Sequence, residues 1–122
     1  MSKSKKQFKR FLVAGTCAVA TDLTFYFIII NFLNYDISKT ISFILGTVVA
    51  FIINKYWTFE KYEKSFKQIF QFSTLYISTL FANIFTNRLI LEITELVFFA
   101  FIFATTVSTV LNFIGQKWWV FR

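Results

Sequence analysis

Long runs of apolar residues dominate this chain, and short polar segments separate them. Four stretches, at residues 11–33, 39–57, 69–91 and 96–119, are long enough to span a bilayer, whose ~30 Å hydrocarbon core takes about 20 residues of helix. The connections between them are short, so consecutive helices must run antiparallel. The pattern predicts an all-α membrane protein, a single four-helix transmembrane domain over residues 1–122.

The composition supports this interpretation. Of the 122 residues, 57% are hydrophobic and only 16% are charged, whereas soluble domains carry about 25% charged residues. A net charge of +7 would suggest nucleic acid for a soluble protein. Here the basic residues lie between apolar stretches, which indicates contact with anionic lipids and no nucleic-acid partner. With no histidine and one cysteine, Cys17, no Cys/His metal site is expected.

The basic residues also predict the orientation. Of the 13 lysines and arginines, all except Lys39 and Arg88 flank the helices on one side. By the positive-inside rule, both termini and the middle loop should therefore be cytoplasmic, as in a multi-pass protein of a prokaryotic inner membrane. Three tryptophans at the same helix ends are expected to form an interfacial belt: Trp57, Trp118 and Trp119.

The second and fourth helices share their endings. A shift of 62 residues places 46–59 over 108–121, with identical residues at seven of fourteen positions. Small and polar residues keep this register, with Ser42, Gly46, Ala50 and Asn54 corresponding to Ala104, Ser108, Asn112 and Gln116. Such stripes let helix backbones approach closely in lipid. The chain is therefore predicted to be a parallel repeat of two hairpins, about 8–59 and 66–121.

Asp22 is the strongest single functional signal. It lies 11 residues past Phe11, about 17 Å along a helix and near the membrane centre, where an ionised carboxylate costs ~2.5–3.5 kcal/mol. Gly15 and Ala18 share its helix face, which predicts that this face packs inward. Asp22 could bind sugar or phosphate, exchange a proton, or be a buried carboxylate satisfied by a neighbouring helix.

Several features together resemble the GtrA-like family of small four-helix membrane proteins, over nearly the whole chain. They are the basic N-terminus leading into 11–15, the acid at Asp22, and the two endings NKYWTF (54–59) and QKWWVF (116–121). The resemblance implies translocation of a polyprenyl-phosphate-linked sugar, for cell-surface polysaccharide synthesis or teichoic-acid glycosylation. Lys55 stands where the family often has arginine, and Gln116 replaces the motif asparagine, so the sugar is left open.

The remaining candidates are polar residues near the helix ends and on the third helix. Arg88 could pair with Asp22 or extend to the outer headgroups. Lys55 and Lys117 could bind the lipid phosphate or act as topology signals. The candidate substrate-binding residues are Asp22, Asn54, Lys55, Asn83, Asn87, Arg88, Asn112, Gln116 and Lys117. Because helices 1 and 3 have diverged, the function is expected to reside there, with helices 2 and 4 as a duplicated frame.

Two other functions remain open. The chain lacks histidine, a Gly-rich phosphate loop and paired carboxylates, so neither an enzyme nor a cofactor is expected. A proton-coupled exporter like the small multidrug-resistance proteins would also have an acid in helix 1, although typically a glutamate. A non-transporting partner of a membrane glycosyltransferase is the third option. The small-residue stripes could form a homodimer or pack the hairpins within one chain.

Overall fold

The fold consists almost entirely of helices. The computed structural model describes residues 2–122, apart from the side chain of Asp36, and contains no strand in that range. Its helices are α1 (Lys3–Ile29), α2 (Tyr35–Ile53), α3 (Phe66–Thr94) and α4 (Val97–Gly115). All four are long and apolar enough to cross a membrane. The predicted all-α fold with four transmembrane helices is confirmed.

Three of the helices begin earlier than the apolar pattern indicates, because capping residues outside the apolar stretches start them. Ser2 caps α1 by accepting a hydrogen bond from the Lys5 amide at 3.2 Å, so α1 begins at Lys3. Asn34 caps α2 through the Ile37 amide at 2.8 Å, and Ser65 caps α3. Such caps satisfy backbone N–H groups that have no partner within the helix. The hydropathy pattern therefore indicates the membrane-embedded part of a helix, and not the residue at which the helix begins.

The chain divides into two compact units, each a helix hairpin. The first hairpin, Met1–Glu63, contains α1 and α2, and the second, Lys64–Arg122, contains α3 and α4. In α1 the buried residues are Gln7, Phe11 and Ala14. Gly15 is exposed and has no atom within 4 Å of a built Cβ, so the predicted inward packing does not extend to this residue. Residue 15 lies one turn after residue 11 and two turns before residue 22, so it is on the same side of α1 but at the edge of the buried stripe.

Gly46 sets how closely the helices of the first hairpin approach each other. A Cβ at this position would lie 2.8 Å from the carbonyl oxygen of Ala18 and 3.2 Å from the Cβ of Asp22. In the second hairpin, a Cβ at Gly115 would meet the methyl groups of Leu75. The close approach of α2 to α1 thus depends on a missing side chain directly beside Asp22.

Both hairpins end in the same backbone feature. α2 and α4 each continue into one turn of π-helix, Asn54–Thr58 and Gln116–Val120. The amide of Phe59 donates to the Asn54 carbonyl at 2.9 Å, and that of Phe121 donates to the Gln116 carbonyl at 2.8 Å. Isolated π turns are uncommon and occur often at functional sites. The two copies of the shared ending therefore fold alike.

Candidate functional site

Asp22 lies on the packed face of α1 and forms an ion pair with α2. Its Oδ2 accepts a hydrogen bond from Lys39 Nζ at 2.8 Å. The Asp22 side chain is 18% exposed and that of Lys39 is 56% exposed, so the ammonium reaches inward to the carboxylate. Ser42 lies beside the carboxylate, while its hydroxyl donates to the Lys39 carbonyl at 3.2 Å. The Tyr26 ring centroid is 5.7 Å from Lys39 Nζ.

The pair lies closer to the α1–α2 turn than the sequence predicted. Asp22 is seven residues before Ile29, the end of α1, which is ~10 Å along the helix. Lys39 is four residues after Tyr35, the start of α2, or ~6 Å. The central position predicted for Asp22 assumed a helix reaching residue 33, whereas α1 ends four residues earlier. The ion pair therefore occupies the part of the hairpin next to its turn.

One oxygen of this carboxylate is left over. Asp22 Oδ1 is buried and has no hydrogen-bond partner within residues 2–122. Lys39 holds the other oxygen, Oδ2, and the pairing of Asp22 with Arg88 stays a prediction. Arg88 is exposed on α3. Lys39 was missed as a partner because a lysine at the start of an apolar run looks like a topology signal.

A second set of polar side chains connects α3 to α4. Thr79 Oγ1 donates to Asn112 Oδ1 at 2.8 Å, and Asn83 Nδ2 donates to Ser108 Oγ at 3.0 Å. On each helix the two residues are one turn apart, so the bonds form two rungs about 6 Å apart. We call these four residues the amide ladder. Interhelical bonds of this kind contribute about 0.6 kcal/mol each on average in membranes.

The amides of the two motif copies are both buried, but within residues 2–122 only that of Asn54 has a hydrogen-bond partner. Asn54 is 1% exposed, and its Oδ1 accepts a hydrogen bond from Thr58 Oγ1 at 2.9 Å. Gln116 is 0% exposed, and neither its Oε1 nor its Nε2 has a partner in the described part of the chain. The residue equivalent to Thr58 is Val120, which has no hydroxyl. An unpaired buried amide costs about 1–3 kcal/mol, so Gln116 is held at an energetic disadvantage.

The two motif lysines have different surroundings. Lys55 is 2% exposed, and its Nζ donates to the carbonyl oxygen of Glu63. Lys55 thereby fastens the segment that follows α2. Lys117 is half-buried, with its Nζ 5.3 Å from the Trp118 ring. Trp57, Trp118 and Trp119 all expose large parts of their rings, as side chains at a membrane interface do.

Arg10 binds the end of α2, a role that the sequence did not reveal. Its Nη1 donates to the carbonyl oxygen of Trp57 at 2.7 Å and lies 3.2 Å from Glu60 Oε1. The guanidinium also lies 4.8 Å from the Trp57 ring centroid. Carbonyls in the last turn of a helix have no intrahelical partner. Arg10 therefore satisfies one of them, whereas the pattern grouped it with the lipid-binding lysines.

The predicted residues thus separate into distinct places. In the first hairpin, Asn54 is eight residues beyond Gly46, which is level with Asp22, so the two candidates are about 12 Å apart along the helix. In the second hairpin, Asn83 and Asn112 belong to the amide ladder. Asn87 is half-buried one turn beyond Asn83. Thr79 and Ser108, the hydroxyl residues of the amide ladder, carry no charge. In the sequence, only their positions four residues before Asn83 and Asn112 distinguish them from other hydroxyl residues.

One known protein family matches the chain over both hairpins. The family described as GtrA/DPMS, transmembrane domain, matches residues 10–121. This range contains the Asp22–Lys39 pair, the amide ladder and both copies of the shared ending. No solved structure matches the chain significantly.

Proposed function

The chain belongs to the GtrA/DPMS transmembrane-domain family, and on this premise we propose that it translocates a polyprenyl-phosphate-linked sugar across a prokaryotic cytoplasmic membrane. The family is involved in handling polyprenyl-phosphate sugars, and its members are generally transport proteins of the membrane. The chain itself is a multi-pass membrane protein. The sugar would move from the cytoplasmic to the outer leaflet, where it serves glycosylation of cell-surface polysaccharide or teichoic acid.

The Asp22–Lys39 pair is the observation that supports this proposal. Charged groups inside a membrane are costly and commonly mark a substrate pathway. The pair leaves Asp22 Oδ1 buried and unpartnered within residues 2–122, and a carboxylate oxygen accepts hydrogen bonds from sugar hydroxyls. An ammonium group binds phosphate through charge-assisted hydrogen bonds. The pair therefore offers one group for the sugar and one for the phosphate of the same headgroup.

The exposure of Lys39 fits a substrate whose tail stays in the bilayer. A polyprenyl chain remains among the lipids while its headgroup crosses, so the binding groups must be reached from the side. The Lys39 side chain is 56% exposed, although it contacts a carboxylate that is only 18% exposed. A phosphate that approaches Lys39 laterally would compete with Asp22 for its N–H donors and release the carboxylate toward the sugar.

Reconstitution of the purified protein into liposomes tests the proposal. Polyprenyl-phosphate sugars of defined headgroup are placed in the inner leaflet, and an impermeant reagent that attacks sugars scores their arrival outside. Asp22→Asn keeps the side-chain volume but removes the charge, and we expect at least a tenfold loss of rate. Lys39→Gln should lose a similar factor. Thr24→Val, an exposed change on the same helix, is the matched control and should transport normally.

Two outcomes would contradict the proposal. An Asp22→Asn variant with the full rate would show that the ion pair only holds the hairpin together. Asp22-dependent efflux of a cationic dye under a pH gradient would favour a proton-coupled exporter instead. Such an exporter needs a carboxylate that exchanges protons, whereas Asp22 forms an ion pair in which its Oδ2 lies 2.8 Å from Lys39 Nζ.

A further inference from the structure

Gln116 extends the amide ladder by one position that has no partner. Ser108 and Asn112 on α4 and Gln116, the first residue of the π turn that follows it, lie at four-residue spacing and therefore share a face. α3 supplies hydrogen-bond partners to the first two, at 3.0 Å and 2.8 Å. Gln116 is fully buried, and both of its polar side-chain atoms lack a partner among residues 2–122. The ladder thus has two closed rungs and a third that is open.

Two neighbours of Gln116 along the chain, Gly115 and Phe121, contact apolar or aromatic side chains of α3. Leu75 contacts the backbone at Gly115, immediately before Gln116. Phe72 packs on Phe121 at 6.3 Å between ring centroids and on Tyr76 at 4.5 Å. No hydrogen bond within residues 2–122 accounts for an amide at position 116.

The first motif copy shows how the same position is satisfied internally. There, the hydroxyl of Thr58 donates to Asn54 Oδ1 at 2.9 Å. The second copy has the same π turn, but Val120 replaces the threonine. One hydroxyl thus separates a closed amide from an open one on otherwise matching backbones. The partner of Gln116 must come from outside the motif.

We infer that Gln116 binds the sugar part of the lipid-linked substrate. An amide has one acceptor oxygen and two N–H donors, and hydroxyl groups both donate and accept, so the two fit each other. Phosphate oxygens only accept and would leave Gln116 Oε1 unpaired. The ligand class is therefore a neutral polyhydroxylated sugar. The identity of the ligand as a lipid-linked sugar rests on the proposed function.

Ligand-induced thermal stabilisation of the detergent-purified protein tests this inference. Polyprenyl phosphate with and without an attached hexose is added, and the sugar-dependent increment in Tm is the readout. Gln116→Leu removes both polar atoms, and the double variant Gln116→Asn with Val120→Thr rebuilds the closed pair of the first copy. We expect both variants to be at least as stable as the unmodified protein without ligand. Both should keep the shift with bare polyprenyl phosphate, lose the sugar increment and bind the sugar lipid at least tenfold more weakly.

Ile114→Leu, a change at an exposed position two residues away, is the matched control and should keep the increment. The inference is overturned if the unmodified protein shows no increment, or if Gln116→Leu retains it. If Gln116→Leu does not fold, the double variant decides in the same way. If the sugar-dependent increment in Tm requires Gln116 but the protein translocates no lipid-linked sugar, the proposed function is wrong and this inference stands. If translocation requires Asp22 but the increment does not change when Gln116 is replaced, this inference is wrong and the proposed function stands.

Discussion

Replacing Gly46 by alanine should separate α1 from α2 at the Asp22–Lys39 pair. The new Cβ would lie 2.8 Å from the carbonyl oxygen of Ala18 and 3.2 Å from the Cβ of Asp22. Both atoms are fixed to the α1 backbone, so neither can swing aside as the end of a long side chain would. The helix itself must move, and it carries the carboxylate with it.

The size of the effect follows from these distances. Ordinary contact begins near 3.4 Å, so the Ala18 carbonyl must retreat by the difference of 3.4 and 2.8 Å, about 0.6 Å. Overpacking a well-packed interface costs about 1–3 kcal/mol, while alanine in place of glycine in a helix returns about 0.5–1 kcal/mol. The net expectation is a loss of about 1 kcal/mol of stability. For a chain of this size, that corresponds to roughly 3–6 °C in Tm.

The other two glycines are matched controls for thermal unfolding in a mild detergent. Gly15 has nothing within 4 Å of a built Cβ, so Gly15→Ala should raise Tm through helix propensity alone. At Gly115 the overlap is with the flexible methyl groups of Leu75, so Gly115→Ala should cost less than Gly46→Ala. The expected order of stability is Gly15→Ala, Gly115→Ala, Gly46→Ala. A Gly46→Ala variant as stable as Gly15→Ala would refute the close approach of the two helices.

Two further predictions concern the ends of the first hairpin and the orientation of the chain. Arg10→Gln removes charge-assisted bonds worth about 1 kcal/mol in a partly exposed site, so amide hydrogen exchange of residues 55–63 should accelerate about fivefold. Lys9→Gln changes the exposed neighbour of Arg10 and should leave this exchange rate unchanged. An equal acceleration in the Lys9→Gln variant would contradict the role assigned to Arg10. In a Cys17→Ser background, Ser4→Cys should react with an impermeant maleimide only from the cytoplasm and Glu95→Cys only from outside, and the reverse pattern would overturn the predicted orientation.

The helices were predictable from the sequence because a bilayer imposes their length. Any chain of this composition must satisfy its backbone within helices that span about 30 Å of hydrocarbon. Their beginnings were misjudged because they depend on single side chains outside the apolar stretches. Ser2, Asn34 and Ser65 each cap a helix in the structure, and all three are visible in the sequence. Capping rules combined with hydropathy would have placed these starts correctly.

The partners within the candidate site were less predictable than its most unusual residues. Asp22 stands out because an acid in an apolar run is costly wherever the helix faces. Its partner depends on the rotation of α1 and α2 about their axes and on the distance between them. The close approach at Gly46 fixes which residues of the two helices face each other. Lys39 therefore could not be chosen over other basic residues from the sequence. The same holds for Thr79 and Ser108, since threonine and serine are common in membrane helices.

The two hairpins place different chemistry on a similar frame. The first has a charged pair near its turn and a closed amide pair at Asn54, whereas the second has neutral rungs and the open amide of Gln116. The expectation that function resides in helices 1 and 3 stays a prediction, and the proposals made for Lys39 on α2 and for Gln116 in the π turn after α4 would extend it. In the ion pair and in the two rungs, a diverged helix supplies one half of the interaction and the duplicated helix supplies the other. Divergence after duplication would therefore have changed residues in interacting pairs. Exchanging one helix between the hairpins should for this reason disrupt both the Asp22–Lys39 pair and the amide ladder.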